Sequence, residues 1–190
     1  ITAEDKNEAI TLDDIEKIQA LHFTASGDIH QMGVDLGTTC HITIGRELDS
    51  GEVLVVHRER VHYTKLTERQ AELRSQYNVS TQVLDSQPYS DIVNTICGYN
   101  PNAWGAVYVH SKNAAIFTAK EQEENLEEAK LGFRTVNINR NAAFDELMAL
   151  IKSGKLIVSK SDENHIFQKQ MLCMKRTQKF DRSQELHYVW

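Results

Sequence analysis

The sequence predicts an α/β domain built on one mixed central sheet, with its first three strands antiparallel and helices on both faces. Two patterns and one composition lead there. Strand-like runs follow one another at Gln31–Leu36, Cys40–Leu48 and Glu52–Tyr63, the last two joined by Asp49-Ser50-Gly51, a tight hairpin signal. After Thr67, strand-like runs alternate with helical patterns, the order that lays helices over a sheet. At 190 residues, 41% hydrophobic and 25% charged, the chain has the size and composition of a single ordinary core.

Residues 1–28 read as a short acidic connector helix, with Thr11 or Asp13 as N-cap and Ile15, Ile18, Leu21 and His22 near helical spacing. The domain proper is expected over residues 29–190. In its third run, Val53, Val55, His57, Glu59, Val61 and Tyr63 share one face, and Leu54, Val56, Arg58, Arg60 and His62 the other. The first half of that run is apolar on both sides and should be the more buried half. Thr67-Glu68-Arg69-Gln70 has the form of a capping box and should open a helix to about Tyr77. A strand over Ser80–Leu84 runs into Asp85 and is stopped by Ser86-Gln87-Pro88. Ser90 is placed to cap a helix to about Gly98, with Ile92, Val93, Ile96 and Cys97 as its apolar stripe. Trp104–His110 reads as another strand.

Residues 112–134 give no clear pattern beyond a polar, helix-prone Glu121–Lys130, which is left as a surface helix or loop. Thr135–Asn139 alternates like a strand. Asn141 is expected to cap a helix in which Phe144, Leu147, Met148 and Ile151 line one face, stopped by Gly154. Lys155–Ser159 reads as a short strand and Ile166–Met174 as helical. Cys173–Lys179 and Glu185–Trp190 are expected to pair as a hairpin around Asp181-Arg182-Ser183.

Composition excludes several classes. No window approaches the roughly eighteen apolar residues of a membrane helix, and no basic region followed by an apolar run marks a leader. Cys40, Cys97 and Cys173 lie far apart, with no CxxC pair, which argues against a disulfide framework and a zinc site and fits a reducing cytoplasm. The chain starts at Ile1 without Met and stops at Trp190 within an apparent strand, so a segment of something longer is expected. The net charge of −6 is unevenly spread. Residues 1–28 hold seven acids against Lys6 and Lys17, while residues 151–190 hold eight basic residues against four acids. A basic C-terminal third is compatible with a phosphate backbone, and equally with a solvated face of scattered lysines.

Asp35 is the residue that most needs a reason. It stands within the apolar run Met32-Gly33-Val34-Asp35-Leu36, flanked by Gly33 and Gly37, which suggest a close backbone approach or a tight turn. A buried carboxylate is usually paired, hydrogen-bonded or coordinating a cation, whereas one at a strand end can simply face solvent. Three antiparallel strands followed by helix-linked parallel ones is the layout of the ribonuclease H-like fold. On that layout Asp35 meets Asp85 at the sheet centre. Two facing carboxylates repel unless a cation lies between them. Oxygen ligands suit Mg2+ or Mn2+, and two such ions can activate water and stabilise the leaving oxygen of a phosphodiester. That chemistry is a nuclease's.

The motifs Met32-Gly33-Val34-Asp35, Val83-Leu84-Asp85 followed by Pro88-Tyr89, Asn137-Ile138-Asn139-Arg140 and Gly154-Lys155-Leu156-Ile157-Val158 resemble, in this order, the nuclease domain of the large terminase subunit of tailed bacteriophages. The resemblance spans about Gln31 to Trp190. It implies a two-metal endonuclease that cuts concatemeric double-stranded DNA during viral packaging in the host cytoplasm. An N-terminal ATPase on the same longer chain, the small terminase subunit and the portal are its implied partners. By the match, Asp35 and Asp85 are the metal-binding catalytic residues. The family's third acid is implied just past a strand like Leu186–Trp190.

Two other families share features here. Asp35-Leu36-Gly37-Thr38-Thr39 also resembles the first phosphate loop of actin-like and chaperone-type ATPases, although a second Gly-rich loop is missing among the nine glycines. Holliday-junction resolvases have a similar first strand but usually carry Glu where Asp85 stands. A non-catalytic interaction domain of the same fold is a further alternative. Lys169, Lys175 and Arg176 are the candidates for phosphate contact, because they follow the last core strands. The histidines show no HxH or HExxH spacing.

Overall fold

The computed structural model describes residues 10–20, 28–109, 117–120, 133–159, 164–173, 177–180 and 186–189. In chain order these form α1 (Leu12–Ile18), β1 (Gln19–Ala20), β2 (His30–Asp35), β3 (Thr39–Glu47), β4 (Val53–His62), a 3-10 turn (Tyr63–Lys65), α2 (Leu66–Gln76), β5 (Val79–Asp85) and α3 (Ser90–Tyr99). There follow β6 (Ala103–Val109), β7 (Phe117–Lys120), β8 (Thr135–Asn139), α4 (Arg140–Lys152), β9 (Leu156–Ser159), α5 (Asn164–Leu172), β10 (Thr177–Phe180) and β11 (Leu186–Val189). One sheet takes the order β1-β9-β4-β3-β2-β5-β6-β8-β7, and β10 and β11 pair as a separate antiparallel hairpin. β2, β3 and β4 form the antiparallel meander, while β5, β6 and β8 add in parallel on the other side of β2.

The alternation in β2 decides which side of the sheet is core. His30, Met32 and Val34 are buried and the residues between them are exposed. Met32 and Val34 join Ile42, Ile44 and Leu84 in a core closed by Leu66 and Leu73 of α2 and Val93 and Ile96 of α3. On the opposite face Ile15 and Ile18 of α1, Met148 and Ile151 of α4 and Met171 of α5 pack around Leu156 and Val158 of β9. A smaller cluster of Ala106, Val136 and Ile138, packed by Val83, Trp104 and Ala143, lies beneath the start of α4. The expected three layers are present.

The N-terminal helix does more than connect. Thr11 and Asp14 form a reciprocal capping box, and Ile15 is fully buried. β1 then pairs in parallel with β9 and so extends the sheet. The hairpin turn carries Gly51 at a φ of 83°, and Gly154 ends the α4 region at 68°, both in the left-handed region where glycine is favoured.

Three caps differ from expectation. Because the 3-10 turn feeds directly into α2, Thr67 already lies inside the first turn, and Lys65 occupies the cap position without a side-chain bond. Gln70 is fully buried and donates to the Thr67 carbonyl and the Tyr99 hydroxyl instead of turning back to close a box. Ser90 is the first residue of α3 rather than its cap; the Tyr89 carbonyl closes that turn by accepting from the Ile92 and Val93 amides. β8 passes straight into α4, so Asn139, not Asn141, is the cap, its Oδ1 accepting from the Ala142 amide at 3.3 Å. β7, unexpected from the sequence, pairs antiparallel with β8 at the sheet edge. The Glu121–Lys130 stretch and the Asp181-Arg182-Ser183 turn lie outside the described residues. No helix among the described residues is long and apolar enough to cross a membrane.

Candidate functional site

Asp35 is the last residue of β2 and Asp85 the last of β5. These parallel neighbours are paired up to the rung Val34↔Leu84, so the two carboxylates end adjacent strands side by side. Val34 and Leu84 face the core, and the alternation of a strand therefore turns Asp35 and Asp85 to the opposite face, that of α4 and α5. Asp35 is exposed and Asp85 half-buried. Gly33 precedes Asp35 on the same face, and a Cβ built on it would meet nothing within 4 Å, so the expected close approach is absent there. At Gly37 the tight turn is real: a Cβ would lie 3.2 Å from the Thr39 carbonyl.

The register extends the pair into a row across the sheet. Asp35 stands opposite His41 of β3, His41 opposite Arg60 of β4, and Asp85 opposite Ala106 of β6. Tyr108 lies two residues beyond Ala106, on the same face, and is 48% exposed. Its neighbour on β8 is Ile138, and two residues later Arg140 opens α4. The Arg140 guanidinium carbon lies 5.9 Å from the Tyr108 ring centre and 5.7 Å from that of Phe144.

Electrostatics bind these groups into one unit. Burial, and then the charge on Asp35, push the Asp85 carboxyl above its ordinary range, against the opposing pull of the Gln87 amide, the Arg140 guanidinium and the Ser86 amide. The Gln87 amide donates to Asp85 Oδ1 at 3.1 Å, which tethers the carboxylate to the loop after β5. Tyr108 is pushed up by burial and then by the charges of Asp85 and Asp35. Beneath Asp35, the buried Cys40 thiol donates to the Gly37 carbonyl at 3.3 Å and is pushed up chiefly by burial.

Beside the row lies a groove of about 320 Å³ between the sheet and α5, lined by His41, Thr43, Arg58, Arg60, Phe167 and Gln170 among others. Arg58 stacks over Phe167 at 4.3 Å and donates to the Ser159 carbonyl at 3.3 Å. Lys169 is exposed on α5, whereas Lys175 and Arg176 lie outside the described residues. Among the described residues no group of three or more His, Cys, Asp or Glu gathers as a metal cluster. The donor set at Asp35 and Asp85 is carboxylate oxygen on two adjacent strands, which suits a hard divalent cation and would supply part of its coordination. The structure brings together the two carboxylates that the sequence singled out and sets Tyr108 and Arg140 near them; Arg140 stood in the Asn137-Ile138-Asn139-Arg140 motif without an assigned role. The available signal for Arg140 was its place directly after a parallel strand, since sites in open α/β sheets gather at the carboxyl ends of strands.

A meander followed by parallel strands, with carboxylates closing the first and fourth strands of the core, defines the ribonuclease H-like architecture. Within it, the chain has the fold of large terminase nuclease domains. The large terminase nuclease of the thermophilic phage G20c superposes with a TM-score of 0.54 at 12% identity, over 92% of this chain and 85% of that one. The nuclease domain of the Thermus phage P74-26 large terminase gives 0.52 at 12% identity, over 92% and 82%. The G20c domain also matches in its magnesium-bound form, at 0.52 and 11% identity over 92% and 84%. Its zinc-bound form matches at 0.50 and 13% identity over 83% and 84%. No protein-family model and no curated protein matches the sequence.

Proposed function

We propose that this chain is the nuclease part of a viral DNA-packaging terminase, a divalent-metal-dependent endonuclease that hydrolyses phosphodiesters of concatemeric double-stranded DNA. The observation behind the reading is the placement of Asp35 and Asp85 at the ends of adjacent parallel strands, on the face where the fold leaves them open. The magnesium-bound form of a structurally similar nuclease supports it. Asp35 and Asp85 hold Mg2+ or Mn2+, with two ions in the active state; a two-ion site needs a further acid, which the described residues do not bring to the pair. When bound, the cations supply a water of lowered pKa and Lewis-acid stabilisation of the departing oxygen.

The chain's own residues do the positioning. The Gln87 amide holds the Asp85 carboxylate at the mouth of the β5 loop, and Asp35 adds a second charge from a separate strand, so the pair is preorganised before any ligand arrives. Exposed Lys169, with Lys175 and Arg176, contacts the DNA backbone. Residues 1–28 lead in from an ATPase on the same longer chain, with the small terminase subunit and portal as partners in the host cytoplasm.

Plasmid cleavage in Mn2+ or Mg2+ tests the reading. The wild type should nick and linearise DNA, and Asp35→Ala and Asp85→Ala should each lose at least about a hundredfold in rate. Equal cleavage by all three overturns the site, and ATP binding without cleavage favours the actin-like alternative.

A further inference from the structure

We propose that Arg140 is a substrate-contacting residue of this site, its guanidinium taking a non-bridging oxygen of the phosphodiester held at Asp35 and Asp85, with Tyr108 and Phe144 as its positioning residues. The inference rests on the nuclease reading and deepens it. Arg140 follows β8 directly, and Tyr108 shares a face with the carboxylate row, so the fold brings the guanidinium to the same rim. It is close enough for its charge to be felt at both Asp85 and Tyr108.

How the guanidinium is held matters most. Among the described residues it rests on two aromatic rings, 5.9 and 5.7 Å from their centres, and closes no ion pair with either carboxylate. Contact with aromatic rings takes up none of the N–H donors of a guanidinium as an ion pair would, and these suit a bidentate oxyanion such as phosphate. A cation parked beside metal-binding carboxylates opposes metal binding by repulsion. Beside the carboxylates it competes with the metal for their charge, and once cations occupy them an anionic phosphodiester gives it a partner, which suits a group that meets the substrate. Asn139 caps α4 immediately before Arg140, which fixes the backbone from which the side chain rises.

Three readouts separate this role from a structural one. In plasmid cleavage, Arg140→Ala should lower kcat about a hundredfold, and Arg140→Lys should recover part of it. In Mn2+ titration without DNA, Arg140→Ala should bind the metal as well as the wild type or more tightly. In duplex binding with Ca2+, followed by fluorescence anisotropy, the slope of log affinity against log salt should shrink by about one. Tyr108→Leu, which removes one of the two rings beside the guanidinium, should reduce the rate. Wild-type cleavage by Arg140→Ala, or loss of its Mn2+ affinity, overturns the inference; should Arg140→Ala fail to fold, Arg140→Gln is judged by the same criteria. Asp35→Ala run in parallel separates the two ideas: if it cleaves like the wild type, the nuclease reading itself fails. If it is inactive while Arg140→Ala is normal, only the role of Arg140 falls.

Discussion

Replacing Asp85 by Asn should make the metal-free protein more stable while abolishing cleavage. Asn keeps the shape and the Oδ1 acceptor for the Gln87 amide, now 3.1 Å away, and removes only the charge. Adjacent strands lie about 4.8 Å apart, so two carboxylates on neighbouring positions are roughly 5 Å apart. Their repulsion is then about 0.8 kcal/mol in water and about 3 kcal/mol at the effective dielectric of a protein surface. Asp35 is exposed, which favours the lower end, and a net gain of about 1 kcal/mol is expected, or roughly 2–4 °C in Tm for a domain of this size. The sign with pH follows from the direction of the shift. Asp85 is raised in the folded state, so the folded protein binds more protons than the unfolded chain between the two pKa values. Its penalty is absent at low pH and grows as pH rises through the folded pKa, so the advantage of Asp85→Asn should vanish in acid. Saturating Mg2+ should reverse the ranking, since ligand at about a hundred times its Kd stabilises the wild type by about 2.7 kcal/mol. Urea melts at two pH values, with and without Mg2+, make the test. A variant no more stable than the wild type without metal, or a wild type indifferent to Mg2+, refutes the reasoning.

Two further outcomes concern the N-terminal helix. Ile15→Ala should cost about 3 kcal/mol in urea unfolding, because Ile15 is fully buried between α4 and α5; a cost below about 1 kcal/mol would return α1 to the status of a loose connector. Asp14 accepts from Lys152 Nζ at 2.6 Å and from Thr11, and these bonds hold its carboxyl well below the usual range. Its contribution is fully present above the unfolded carboxylate pKa and is lost as pH falls through the depressed folded value, so Asp14→Asn should flatten the acid limb of stability and cost about 1 kcal/mol at neutral pH.

What could be read from the chain was whatever alternation and punctuation encode. β2 was visible because Met32, Val34 and Leu36 recur at every second position, and β5 because Val83 and Leu84 run into Asp85 and the chain is then stopped by Ser86-Gln87-Pro88. Asp35 and Asp85 were visible as charges with no local use. The caps were displaced by one or two residues because a neighbouring element, the 3-10 turn before α2 and β8 before α4, hands the chain over without a loop. Local motifs do not report such hand-overs. α1 looked like a connector because its acids dominate the composition, yet three isoleucines, Ile10, Ile15 and Ile18, suffice to dock it. β7 is four residues long and gains its pairing from β8, a tertiary partner that no short window contains. Arg140 stood in the Asn137-Ile138-Asn139-Arg140 motif, but its surroundings were not legible because its aromatic neighbour Tyr108 lies on another strand.

The position of the carboxylates also explains how a sheet tolerates them. Between β2 and β5 the chain leaves in opposite directions: β2 turns through Gly37 and Thr38 into β3 on one side, and β5 passes through Ser86 to Tyr89 into α3 and β6 on the other. Such a divergence is the switch point at which open α/β sheets gather their ligands, outside the carboxyl ends of the strands. One residue further back, Val34 and Leu84 are buried at 4% and 0%. The boundary between core and site is therefore a single rung, and both acids fall on the solvent side of it. Moving either acid one position earlier would put it into the apolar layer over α2 and α3, at a desolvation cost of several kcal/mol. Strand register thus turns both acids away from the adjoining core, and this is why substitutions at Asp35 and Asp85 should remove the proposed activity without unfolding the protein.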